Sequence, residues 1–197
     1  MGAHYSGNNQ AVGTEQDIDV AQIITHEHYS KPLAVSNDIA LLILAKPAKL
    51  GKGVKLACLP DLNHNLVENK TCWTTGWGSQ LEDNGPLSEI LMEASLPILT
   101  TPCPNDDSVF CARLNESVVI CDGDSGGPLV CEFNGKWHLE GISSFSYTHK
   151  ELNICEPPGG YAKVRFLMPW LMEKIANYKN RTSIPLNTTY ATLSVGK

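Results

Sequence analysis

Cys121-Asp122-Gly123-Asp124-Ser125-Gly126-Gly127-Pro128-Leu129-Val130-Cys131 is the stretch that decides the fold. It sets a serine between glycines and brackets the whole with two cysteines. Glycine lacks a Cβ, so such a segment turns sharply, reaches φ > 0 and brings backbone N–H groups close to a ligand. A serine held on that turn presents its Oγ. Its own N–H and that of Gly123 can point together at a developing oxyanion. The plainer alternative is a glycine-rich turn between strands. Against it, with Gly at ~7% and Pro at ~5% of residues, and Asp and Ser taken as similar, Gly-Asp-Ser-Gly-Gly-Pro arises by chance in roughly 10⁻⁵ of chains this long. The motif is therefore read as functional in ancestry.

Further stretches point the same way, in order along the chain: Asn37-Asp38-Ile39-Ala40-Leu41-Leu42, Cys72-Trp73-Thr74-Thr75-Gly76-Trp77-Gly78, Ser144-Phe145-Ser146, Pro158-Gly159-Gly160-Tyr161-Ala162-Lys163-Val164 and Trp170-Leu171. With the serine motif they resemble the aspartate segment, the Gly-Trp-Gly turn, the substrate-binding strand, the penultimate strand and the closing helix of the trypsin/chymotrypsin family of serine endopeptidases. The resemblance runs from about residue 2 to residue 178. It implies an all-β, chymotrypsin-like double six-stranded β-barrel with a C-terminal helix, its first barrel incomplete. The corresponding divisions are 1–60 for the remnant of the first barrel, 61–70 for the inter-barrel connection, 71–168 for the second barrel, 169–178 for the helix and 179–197 for a disordered tail.

The resemblance also implies roles. Ser125 is the nucleophile, Asp38 the triad carboxylate, and the amides of Gly123 and Ser125 the oxyanion hole. Asp124 matches the activation switch, whose carboxylate pairs with a newly cut N-terminal amine. Val119, Ser144, Phe145, Ser146 and Gly159 match the specificity pocket. Val119 offers no charge to a buried cation, and an unpaired buried charge is costly, so small to medium apolar side chains are expected before the cut. The chain departs from the family in one major respect: the activation-site N-terminus and the segment bearing the general-base histidine are absent. His4, His26, His28, His64, His138 and His149 offer no substitute, because none has a cysteine neighbour as that histidine normally does. The expected function is a secreted serine endopeptidase, inert as this chain alone. The alternative is a catalytically dead homologue acting as a binding or regulatory protein.

Composition fits this picture. The chain has 197 residues, 42% hydrophobic and 18% charged, enough for a sizeable core. The net charge of −6, without a basic cluster, argues against nucleic acid. No apolar run approaches a membrane span. A polypeptide substrate is the expected partner, and no cofactor or metal is expected. The seven cysteines form no Cys-x-x-Cys pair, which favours an extracellular disulfide framework over zinc or redox use. The residues leave the connectivity open. The family pattern implies Cys72–Cys131, Cys103–Cys111 and Cys121–Cys155, with Cys58 left over to tether an upstream segment. Sequons at Asn69, Asn115, Asn180 and Asn187 agree with secretion. Residues 1–6 lack the basic and apolar regions of a signal peptide.

Local patterns complete the reading. Residues 14–24 alternate weakly as a half-buried strand. The unbroken apolar run Ile39 to Leu44 suits a strand covered on both faces, with a short helix as the alternative. Short β-favouring runs near 90–98, 109–111 and 117–120 are spaced by turns, as in a barrel or sandwich. In 169–178, Pro169 suits a first helical turn, and Trp170, Leu171, Lys174, Ile175 and Tyr178 share one face.

Overall fold

The computed structural model describes residues 1–7, 13–61, 66–80, 85–99, 103–113, 119–182 and 191–194; His64, Asn115 and Asn187 lie outside the described residues. Its centre is a closed six-stranded antiparallel barrel built from β3 (Thr71–Gly76), β4 (Met92–Leu99), β5 (Val109–Ala112), β6 (Pro128–Phe133), β7 (Lys136–His149) and β8 (Ile154–Lys163). Around the barrel the order is β3-β4-β5-β8-β7-β6. Closure leaves no edge strand unpaired. A second sheet holds β1 (Val20–Thr25), β2 (Ala40–Leu44) and β9 (Ala191–Ser194), with β2 in the middle. Among the described residues the first barrel is thus represented by a three-stranded sheet.

The sequence explains why the barrel strands face as they do. In β3, Cys72 and Thr74 point inward; in β6, Leu129 and Cys131 do the same, at the period of two that a pleated strand imposes. Cys72 and Cys131 are direct partners in the ladder and are disulfide-bonded, with Cα atoms 4.3 Å apart. Around them Leu96, Ile98, Phe110, Ala112, Ile120, Leu129 and Tyr161 form the barrel core. The Phe110 and Tyr161 rings stack with centroids 5.8 Å apart. The other bridges are Cys103–Cys111 and Cys121–Cys155. All three match the pairing that the family pattern implies. Cys58 forms no bridge among the described residues. Its backbone pairs with β7 through Cys58 N–H to Trp137 O and Leu139 N–H to Cys58 O, each 2.9 Å.

β2 is the apolar run expected to be covered on both faces. Leu41 and Ile43 pack on Leu171, with Met168, Trp170, Ile175 and Tyr178 alongside, so the predicted helical face is the one buried. The helix α1 (Val164–Thr182), however, begins five residues before Pro169. Pro169 therefore lies in the helix interior rather than in its first turn, and the barrel strands end at Lys163 rather than near 168. Burial accounts for the earlier start: Val164 and Leu167 close the end of the barrel against Ile39, Ile142 and Ala162. That packing outweighs the backbone hydrogen bond proline cannot make. The tail also differs from expectation. Residues 179–182 belong to α1, and Ala191–Ser194 pair antiparallel with β2, Ala40 opposite Ser194.

Between the sheet, α1 and the barrel lies an apolar cavity of about 570 Å³, lined among others by Leu41, Leu44, Leu56, Leu139, Ile142 and Leu171. Gly126 and Pro128 of the serine loop also line it.

Candidate active site

The serine loop joins Cys121 to β6 through two left-handed glycines, Gly123 (φ +92°) and Gly126 (φ +81°). A side chain at Gly123 would be strained by that φ and would place its Cβ 2.5 Å from Leu87 Cδ2 and 3.1 Å from Gly78 Cα. Three amides of the loop are spent on backbone carbonyls, two within the loop and one on β7. Asp124 N–H donates to Cys121 O (3.0 Å), Gly127 N–H to Asp124 O (2.9 Å) and Gly126 N–H to Ser143 O (2.9 Å). Among the described residues, the amides of Gly123 and Ser125 donate to no backbone carbonyl outside the regular elements. Ser125 and Gly123 are exposed. They open into a cavity of about 550 Å³ whose walls include Thr75, Gly76, Trp77, Leu91 and Met1 to Ala3. A hydroxyl in the open beside two amides without a backbone partner is compatible with holding a tetrahedral oxyanion.

Asp38 enters from the other unit. It lies two residues before β2, only 4% exposed, and Ser144 Oγ donates to its Oδ2 at 2.6 Å. The β7–β8 register explains how Ser144 is free to do this. Ser143 faces Tyr161 and Phe145 faces Gly160, so Ser144 is the extra residue of a bulge. Bulges re-aim side chains and recur beside active sites. Its neighbour Ser143 holds the serine loop, taking the amide of Gly126 and donating its own N–H to Gly127 O at 2.8 Å. Two successive residues of β7 thus fasten the Ser125 loop and the Asp38 carboxylate. Ser144, expected in the specificity pocket, contacts the carboxylate.

Asp124 is held by backbone. Gly78 N–H donates to its Oδ1 (2.9 Å) and Cys121 N–H to its Oδ2 (3.1 Å). Burial pushes its carboxyl above the ordinary value, and these two amides partly counter the rise. A Cβ on Gly76 or Gly78 would strike the carboxyl group, so the glycines of the Gly-Trp-Gly turn leave room for it. The amine of Met1 donates elsewhere, to Gln16 O at 3.0 Å. Val119 lines a cavity of about 240 Å³ together with Asp124, Thr74, Met92 and Glu93. The expected pocket walls are close-set. Phe145 lies against Gly160, where an added Cβ would fall 2.2 Å from its ring. Ile120 lies against Gly159, where a Cβ would fall 2.8 Å from Ile120 Cγ1. Ser146 is half-buried, its Oγ 3.8 Å from Cys155 Sγ.

The described histidines have other stations. His26 lies tilted against the Trp170 ring (centroids 5.0 Å apart) and accepts the His28 N–H at Nδ1 (3.1 Å), a capping contact. His28 lies 6.0 Å from the His26 ring and His4 4.9 Å from Tyr5. His138 Nδ1 is 3.1 Å from Lys136 O, and His149 Nδ1 accepts the Leu152 N–H at 3.3 Å. Of the sequons, Asn69 is exposed on a turn with φ +62° and Asn180 is exposed near the end of α1. Among the described residues no helix is long and apolar enough to cross a membrane, and no cluster of His, Cys, Asp and Glu could hold a metal ion.

Tyr29, Ser36, Asp106 and Ser108 were not singled out by sequence patterns, yet they surround the Asp38 segment. The Asp38 charge, and to a lesser degree burial, holds the Tyr29 phenol above its ordinary value. Nothing in local spacing could pair Ser36 with Asp106, which are 70 residues apart.

Comparison with known proteins agrees with the geometry. The family model described as Trypsin matches residues 2–171. Chymotrypsin-like elastase family member 1 of Canis lupus familiaris is 33% identical over 187 residues, covering 90% of this chain and 71% of that protein. Chymotrypsin-C of Mus musculus is 34% identical over 167 residues, covering 80% of this chain and 61% of that protein. Human chymotrypsin-like elastase family member 1 is 33% identical over 179 residues, covering 86% and 69%. The barrel, the three bridges and the serine loop accord with these matches, and the chain belongs to the trypsin/chymotrypsin-like family of serine proteases.

Proposed function

We propose that the protein is a secreted serine endopeptidase in which Ser125 is the nucleophile, the Gly123 and Ser125 amides form the oxyanion hole and Asp38 orients the base. The observation that carries this is the Ser143–Ser144 pair, which fastens the nucleophile loop and the buried carboxylate from adjacent positions. In the reaction Ser125 Oγ attacks the peptide carbonyl carbon, and the base takes the hydroxyl proton and returns it to the leaving amine. Water then repeats the cycle on the acyl-enzyme. Among the described residues the five histidines stand elsewhere, and His64 lacks the cysteine neighbour that the family's base normally has, so the base is assigned to a histidine on an upstream segment. Cys58 is the half-bridge suited to holding an upstream segment. Asp124 acts as the activation switch, awaiting an amine. Until both arrive the chain is inert: losing one oxyanion donor alone costs on the order of 10²–10³ in rate. Val119, with Ile120 and Phe145 pressed on the two glycines, favours small to medium apolar side chains before the cut. The bridges and the exposed Asn69 and Asn180 support secretion and glycosylation.

A second reading, a binding or regulatory homologue without catalysis, is favoured by the same close-set pocket. A fluorophosphonate probe separates the two. Applied to the longest product of the transcript, it is expected to label Ser125, with labelling lost in Ser125→Ala; residues 1–197 alone should label at least 100-fold more slowly. A longer product that contains a histidine segment and still fails to label would leave only the binding reading.

A further inference from the structure

A part-buried polar cluster joins the loop ahead of Asp38 to the bridged loop Cys103–Cys111 of the barrel. Ser36 Oγ donates to Asp106 Oδ2, and Ser108 Oγ donates to Asp106 Oδ1. Ser108 N–H adds a third bond to Oδ1 at 2.7 Å. Ser36 and Ser108 are 0% and 1% exposed. An ionised carboxylate only accepts hydrogen bonds, so both hydroxyl protons turn toward Asp106. Their lone pairs are thereby left for two amides of the Asp38 loop: Asn37 N–H donates to Ser108 Oγ and Leu33 N–H to Ser36 Oγ, each at 2.9 Å.

We propose that Asp106 is a positioning residue for Asp38, acting through the Ser36 and Ser108 hydroxyls to fix the left-handed turn at Asn37. Asn37 has φ +52° and directly precedes the carboxylate. Its side-chain amide also closes the loop, donating to Lys31 O at 3.0 Å and His28 O at 3.3 Å. A non-glycine residue held at positive φ persists only where its surroundings over-determine it, and this cluster supplies that constraint. Ser108 is fastened in turn to the barrel, its carbonyl accepting the Lys163 N–H at 2.7 Å. Burial pushes the Asp106 carboxyl up, and the hydrogen bonds from Ser108 and Ser36 more than reverse the rise, so it is ionised and its directionality is fixed. The inference rests on the reading of Asp38 as the orienting carboxylate.

Tyr29 supplies a test that needs no activity, because its phenol senses the Asp38 charge. The full chain, labelled with ¹³C at the tyrosine ring, is titrated by NMR, Tyr29 being assigned by Tyr29→Phe. Asp38→Asn sets the limit, a shift of the Tyr29 titration to lower pH. Asp106→Asn keeps shape but turns an N–H₂ group on one of the hydroxyls. It is expected to move Tyr29 in the same direction while Asp106→Glu moves it less. If Asp106→Asn fails to fold, Ser36→Ala and Ser108→Ala must each give the shift. A folded Asp106→Asn protein with Tyr29 titrating as in the parent overturns the proposal, as does an Asp38→Asn protein without any shift. Fluorophosphonate labelling is read separately: its absence in the longer product, with these shifts present, sinks the peptidase reading and leaves the positioning intact.

Discussion

The six-stranded barrel and the three-stranded sheet differ in what holds them. The barrel is closed, carries all three disulfides and fills its centre with Leu96, Ile98, Leu129 and Tyr161, each 1% exposed or less. The sheet contains no bridge among the described residues. β2 is covered on both faces, while β1 is exposed along nearly its whole length, Ile23 at 61%. One unit is held by its own chain; the other is held by what it leans on, namely α1 and the Asp106 cluster. The candidate site spans both, with Ser125 on the self-sufficient unit and Asp38 on the dependent one. Damage to the sheet should therefore misplace the carboxylate well before it disturbs the serine loop.

That contrast can be broken in three ways, in decreasing order of effect. Replacing Cys72 and Cys131 by serine frees a loop of 59 residues, for which chain entropy gives a loss of about 4 kcal/mol. Denaturant unfolding followed by barrel tryptophans should show it, and a loss below ~1 kcal/mol would mean that the barrel does not depend on the bridge. Leu171→Ala removes the helical residue that Leu41 and Ile43 pack on. A loss of about 2–5 kcal/mol is expected, appearing as early hydrogen exchange in β1 and β2 with barrel amides still protected. Simultaneous loss of protection in both units would erase the distinction. The smallest effect concerns Glu27, which takes Lys174 Nζ and the Trp170 Nε1–H and ties the loop before Asp38 to α1. Its carboxyl is lowered to about 2, chiefly by the Lys174 hydrogen bond. A depressed carboxyl stabilises the fold above its unfolded value of 4.5, and the gain is lost as pH falls from there toward 2. The pair is exposed, so its share is small. Melting curves of the parent should fall by about 2 °C or less more than those of Glu27→Gln over that window.

Legibility followed the same division. The barrel half announced itself because glycine, cysteine and serine there do jobs no other residue can: the left-handed turns at Gly123 and Gly126, the bridge partners and the exposed hydroxyl are each written in residue type. The burial of β2 was equally plain from its unbroken apolar run. What escaped were features set by tertiary packing. The early start of α1 depends on Val164 and Leu167 finding the barrel end, which periodicity around Pro169 does not show. The contact of Ser144 with Asp38 needs a bulge in β7, and a bulge follows from register, not composition. Ser36 and Asp106 meet only once two distant loops have folded against each other.

The outer side of β1 has one last consequence. Its neighbour β2 satisfies one flank; the other, unpaired among the described residues, presents a row of peptide groups beside Val20 and Ile23, both exposed. An unguarded border of that kind accepts any extended polypeptide that comes alongside. In a concentrated solution of residues 1–197 alone the commonest such polypeptide is another copy, so self-association along this seam is expected to grow with concentration, and Ile23→Lys is expected to suppress it without touching the barrel.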